Sequence, residues 1–193
     1  MLRRVTALVL VVALATLVGG PVQAKKKKKP KPPPAPAPVA VTFHMNWGGD
    51  CEGAGFLSLA SVPNPDECAL FFPELGNSYA FSATEGLPFG LDATKAITVD
   101  FELSSAATAA GEFEAVMTGT VGGQDVEIAR ATQTVLVAAN ESTPVHFDLQ
   151  PDAALDKAEV SALTLTINWT GGLTFSTIDL SSGTSTTVVN GYR

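Results

Sequence analysis

From residue 39 to residue 189 the chain alternates apolar and polar side chains with a period of two, and nowhere sustains the 3.6-residue period of an amphipathic helix. The cleanest case is 96–104, AITVDFELS, where Ile97, Val99, Phe101 and Leu103 take one side and Thr98, Asp100, Glu102 and Ser104 the other. A strand presents successive side chains to opposite faces, so this pattern describes a sheet with one dry face and one wet face. The same reading fits 39–47, with Val39, Val41, Phe43, Met45 and Trp47 inward, and it fits 112–121, 145–149 and 163–169. Shorter strands are expected at 56–60, 69–72, 78–82, 125–129, 132–138, 173–180 and 184–189. The phase of 173–180 is ambiguous. Gly122-Gly123 is a two-residue hairpin signal, and Gly171-Gly172 marks another turn. Pro151 and Asp152 suit the start of a single helical turn over 152–157.

About nine or ten short strands with almost no helix predict an all-β fold, a two-sheet antiparallel β-sandwich. Jelly-roll topology is preferred, with an immunoglobulin-like arrangement as the runner-up. The plan resembles exported sandwich modules such as carbohydrate-binding modules. That resemblance rests on pattern and context, and it carries no functional residue across.

The region ahead of this body divides in two. Residues 1–24 open with Arg3 and Arg4, continue through an apolar run over 5–19 and end in Val22-Gln23-Ala24. This is the layout of a secretory signal, with cleavage expected after Ala24. Residues 25–38 read KKKKKPKPPPAPAP. Each proline fixes φ and lacks an N–H, and the lysines repel one another, so a flexible, extended tether is expected. Residues 39–193 are then one β-sandwich domain of an exported protein, secreted or associated with the cell envelope.

Export gives the two cysteines, Cys51 and Cys68, a non-reducing destination, and a Cys51–Cys68 disulfide is the natural pairing. It would close a loop of about 18 residues, worth roughly 3 kcal/mol in the chain-entropy model. Asp50 and Glu52 flank the first cysteine, and Asp66 and Glu67 precede the second. Such a bridge would gather four carboxylates, the oxygen donors that suit Ca²⁺, so these residues form a candidate calcium site.

Charge is strongly divided. After residue 40 the basic residues are Lys95, Arg130, Lys157 and Arg193 against nineteen acids, a net of −15. Nucleic acid would repel such a body. Lys25, Lys26, Lys27, Lys28, Lys29 and Lys31 are drawn instead to an anionic envelope polymer or membrane surface.

Motifs for catalysis are missing: there is no G-x-S-x-G, H-E-x-x-H, phosphate loop or dinucleotide fingerprint. His44 and His146 are the only imidazoles. His146 and Asp148 share the outward side of one strand, and His44 is outward on another, so the three would converge only if those strands were neighbours. Trp47, Trp169, Tyr79 and Tyr192 are the candidates for stacking on sugar rings, although both tryptophans fall on inward phases. Asn140-Glu141-Ser142 and Asn168-Trp169-Thr170 match the N-glycan acceptor pattern. Thr118, Thr120, Thr164 and Thr166 would supply a polar, threonine-rich sheet face. The expectation is a non-enzymatic structural or protein-contact module. Glycan binding is the alternative, and a secreted hydrolase is the remote one.

Overall fold

Alternation becomes pairing in the computed structural model, which describes residues 31–47, 55–60, 69–71, 76–83, 86–87, 90–172, 177–179 and 185–193. The strands are β1 (Pro38–Asn46), β2 (Gly55–Ser58), β3 (Ala69–Phe71), β4 (Ser78–Ala83), β5 (Gly90–Leu91) and β6 (Ile97–Ser104). They continue as β7 (Ala109–Val121), β8 (Gln124–Val137), β9 (Ser142–Leu149), β10 (Val160–Gly171), β11 (Thr177–Asp179) and β12 (Thr186–Tyr192). One short 3₁₀ turn, Ala153–Leu155, interrupts them, and Asp152 caps it by accepting the Ala154 N–H. Ala35–Arg193 forms one unit of the chain, and Met1–Pro34 the other.

Hydrogen bonding is continuous through β3-β11-β6-β12-β1-β2-β4-β10-β7-β8, with β5 added to β12 and β9 to β6. The ladder curls until β8 and β9 lie beside each other, so the protein is an all-β, jelly-roll-like sandwich that nearly closes into a barrel. One half is β9-β6-β12-β1-β2 and the other β4-β10-β7-β8. The junction between the halves, β2 with β4, is parallel; every other strand pairing described is antiparallel. The expected antiparallel sandwich therefore holds except at this seam.

The inward phases meet in a single core. Phe43, Phe81, Phe101, Phe113, Phe147, Leu103, Met117, Leu165 and Ile167 are buried in it. Burying each such side chain contributes about 1.5–3 kcal/mol relative to exposure. Trp47 packs edge-on against Tyr79 and Phe81 at ring distances of 5.7 and 6.0 Å. Trp169 is buried and donates its Nε1–H to the Gly171 carbonyl at 2.7 Å.

Three details depart from the sequence reading. The segments 125–129 and 132–138 belong to one strand, β8. Ala129 faces Met117 and Glu127 faces Thr118, which leaves Ile128 as the extra residue of a β-bulge. The bulge moves the inward phase from even to odd numbers, and alternation alone makes that look like two strands. Its carbonyl takes the Asp152 N–H at 3.0 Å. Second, Asn46 is buried although its phase in β1 is outward. It is satisfied locally, its Nδ2 donating to the His44 carbonyl and to Ser58 Oγ, both at 3.0 Å. Third, the two-residue strand β5 is too short for any period to show.

The Gly122-Gly123 hairpin forms as expected. Val121 pairs with Gln124 across it, and both glycines have positive φ, 59° and 82°. A type I′ turn requires that geometry, and its twist matches the flanking strands.

Candidate functional site

Two outward surfaces carry chemistry, one on each half of the sheet. On β4-β10-β7-β8 the register sets outward residues in cross-strand rows, polar except for Ala80 and Val116. Ser82, Thr164, Thr118 and Glu127 form one row; Ala80, Thr166, Val116 and Arg130 the next; Ser78, Asn168, Glu114 and Thr132 a third. The four threonines singled out from the sequence thus do share one face. Thr118 and Thr164 are direct partners, and Thr120 pairs with Asp125.

Three of these hydroxyls are held. Ser82 and Thr164 share a hydrogen bond of 3.0 Å, and Thr120 Oγ1 donates to Asp125 at 2.6 Å. Arg130 reaches across the rows, contacting Glu114 at 2.8 Å and also Glu127. Its hydrogen bond holds the Glu127 carboxyl below the usual carboxylate range. Asn168 Nδ2 donates to the other oxygen of Glu114 at 2.9 Å. A shallow depression of about 310 Å³ opens on this face, lined among others by Thr118, Thr120, Asp125, Glu127 and Thr164.

On the other half, one row runs His146, Asp100, Thr186, His44, Ser58 over β9, β6, β12, β1 and β2. His44 and His146 are therefore on the same row but not on neighbouring strands. Three strand spacings separate them, about 14 Å, which rules out the three-residue convergence considered above. Asp100, from the strand that does adjoin β9, takes the place expected of His44. His146 Nδ1 lies 2.6 Å from Asp100 Oδ1, and Nε2 lies 3.3 Å from Asp148 Oδ1. The hydrogen bond to Asp100, aided by the charges of both carboxylates, raises the imidazole pKa above its ordinary value. His44 is half-buried, and its Nδ1 has no hydrogen-bond partner among the described residues.

Other sequence candidates are distributed unevenly. Cys51, Cys68, Asp50, Glu52, Asp66 and Glu67 lie outside the described residues, as do Lys25, Lys26, Lys27, Lys28 and Lys29. Lys31 is exposed. Of the aromatics proposed for sugar stacking, Trp47 and Trp169 belong to the core, and Tyr79 packs on Trp47. Among the described residues the exposed large hydrophobics are Leu59 and Leu136, neither aromatic. Of the two glycan-acceptor patterns, Asn140 is exposed in a turn with φ 57°, whereas Asn168 is engaged by Glu114 within β10.

One polar constellation had no motif to announce it. Asp92 is buried, accepts the Thr94 N–H at 3.1 Å and the Thr94 hydroxyl at 2.5 Å, and hydrogen-bonds Tyr192. The only local signal is a short polar residue two places ahead of a threonine, the pattern of an Asx turn.

No family model and no curated protein matches the chain. Solved structures do. An α-amino acid ester hydrolase aligns over 80% of this chain and 36% of its own at 9% identity, with a TM-score of 0.55. At that identity the likeness shows the fold alone, and this chain spans about a third of the hydrolase. A family 11 carbohydrate-binding module from Clostridium thermocellum, in complex with a β-1,3-1,4-mixed-linked tetrasaccharide, aligns over 80% of this chain and 84% of its own, at 10% identity and TM-score 0.35. A chain of the T13 IBDV viral particle aligns over 82% of this chain and 32% of its own, at 12% identity and TM-score 0.42.

Proposed function

We propose that the protein is a non-catalytic, exported contact module of the cell envelope, working through the outward face of β4-β10-β7-β8. The observation that carries this reading is the ordered polar block made by Ser82, Thr164, Thr118 and Glu127 beside Thr166 and Arg130. Hydroxyls already fixed by cross-strand bonds lose little freedom when a partner docks, and interfaces of this polarity suit reversible protein contacts. In the same reading the Lys25–Lys31 tract provides a salt-sensitive hold on an anionic polymer or membrane, and the prolines space the acidic body from it. Extended at ~3.1 Å per residue, the proline stretch spans well beyond the Debye length of about 8 Å.

Photo-crosslinkers at positions 118 and 164, with a control at position 98 on the opposite face, test the contact in envelope preparations. Crosslinks to a protein from 118 and 164 only, reduced by a T120R/T166R pair, are expected. A glycan-array signal selective for one sugar and abolished by the same pair would replace the protein partner with a glycan. Equal crosslinking from all three positions would overturn the assignment of the face. For the tether, cosedimentation with anionic vesicles is expected to fall with salt and to vanish without residues 25–31. Binding indifferent to salt would sink that part.

A further inference from the structure

The two contacts of His146 are not alike. At 2.6 Å the Nδ1–Asp100 contact is a strong charge-assisted hydrogen bond, while 3.3 Å between Nε2 and Asp148 Oδ1 is long for one. A tetrahedral Zn²⁺ bonded to an imidazole nitrogen and a carboxylate oxygen at ordinary lengths holds those two atoms about 3.3 Å apart. The spacing at Nε2, a long hydrogen bond as it stands, also matches the bite of a metal chelate. Strand geometry produces it: residues two apart on β9 share a face, and the register of β9 on β6 sets Asp100 behind the ring.

We propose that His146 Nε2 and the Asp148 carboxylate form a surface chelate for a borderline divalent ion, Zn²⁺ in the first instance, with Asp100 orienting the imidazole. Asp100 accepts the Nδ1–H, which fixes the tautomer with its lone pair on Nε2 and raises the basicity of that nitrogen. Any proton on Nε2 leaves to solvent as the ion binds. An imidazole donor favours zinc, copper or nickel over calcium or magnesium. Glu102 is occupied by the Ser142 hydroxyl at 2.7 Å and stays out of the set.

Among the described residues no three His, Cys, Asp or Glu side chains form a ready-made coordination set, so the chelate supplies two ligands. The remaining positions are open. The side chains of His146 and Asp148 are 53% and 66% exposed, and a depression of about 290 Å³ adjoins His146 on its Pro144 side, lined by Asp100, Glu102, Pro144 and His146 among others. Water fills the open positions in the free protein, and a donor from a docking partner fits the same place.

The chain has two histidines, so the imidazole ¹⁵N spectrum of the full mature protein reports on His44 and His146 alone. Adding Zn²⁺ under non-reducing conditions is expected to shift His146 Nε2 saturably, with Nδ1 still protonated and His44 unmoved. Ca²⁺ should leave both unmoved. D148N should weaken the response at least tenfold, and D100N about 10- to 100-fold. H146Q should abolish the backbone response around residue 146 while its circular dichroism and melting stay those of the parent. A zinc response that survives H146Q, that falls on His44, or that Ca²⁺ reproduces would overturn the site.

Discussion

Asp92 is buried beside the last residues of the fold, and its carboxylate is held below the ordinary range chiefly by the Thr94 hydroxyl, with Tyr192 adding to the effect. A depressed folded-state pKa stabilises the protein above the unfolded value, near 3.9, and that contribution disappears as pH falls through the folded value. Asp92→Asn is therefore expected to lower the melting temperature at neutral pH, by the equivalent of about 1–3 kcal/mol for a disrupted buried bond. The gap between variant and parent should begin to narrow below about pH 4, where the unfolded parent takes up its proton, and close as the folded carboxylate follows at lower pH. Thermal melts from pH 7 to pH 2 check both the size and the direction. Leu165, fully buried between the halves, tests the core in the same way: Leu165→Ala should cost about 2–5 kcal/mol in urea unfolding.

At the level of strands, the sequence was most legible where one face is dry along the whole length. The stretch Ile97 to Leu103 and the stretch Leu163 to Trp169 have the burial their alternation predicts. Legibility failed where pairing, not pattern, decides. Nothing in the residues around Ile128 says that Met117 will face Ala129 and Thr118 will face Glu127, so the bulge reads as a break. The threonine face shows the same division: Thr118, Thr120, Thr164 and Thr166, with Asn168, announce their side of the sheet, but Arg130 joins them only through register. His146 found a partner in Asp100 for that reason too. Turn chemistry, by contrast, is local and was readable. Replacing Gly122 and Gly123 by alanines forces Cβ atoms into positive φ at about 1–2 kcal/mol each. The β7–β8 hairpin amides should then exchange faster with solvent than those of β6, whereas equal protection would refute the turn's role.

At the scale of the molecule, the ends of the fold are tied to each other. Pro38 pairs with Tyr192, and Ala37 and Arg193 exchange backbone hydrogen bonds of 2.8 and 2.9 Å. A fragment beginning at Val39 removes that last rung. It is expected to melt about 2–4 °C below one beginning at Ala35, the shift that ~1 kcal/mol produces in a domain of this size. Identical melting would show that the rung contributes nothing. The same tie has a mechanical side. Because β1 and β12 are antiparallel neighbours, drawing the two chain ends apart opens their rungs one after another, like a zip, and little force is needed. A load that enters at Ala37 and leaves through the threonine face instead pulls β1 along its own axis, between β12 and β2. All the rungs then resist together, in shear. A module anchored through its leading end and gripped on its far sheet would be strong in the direction it is used and weak in the other.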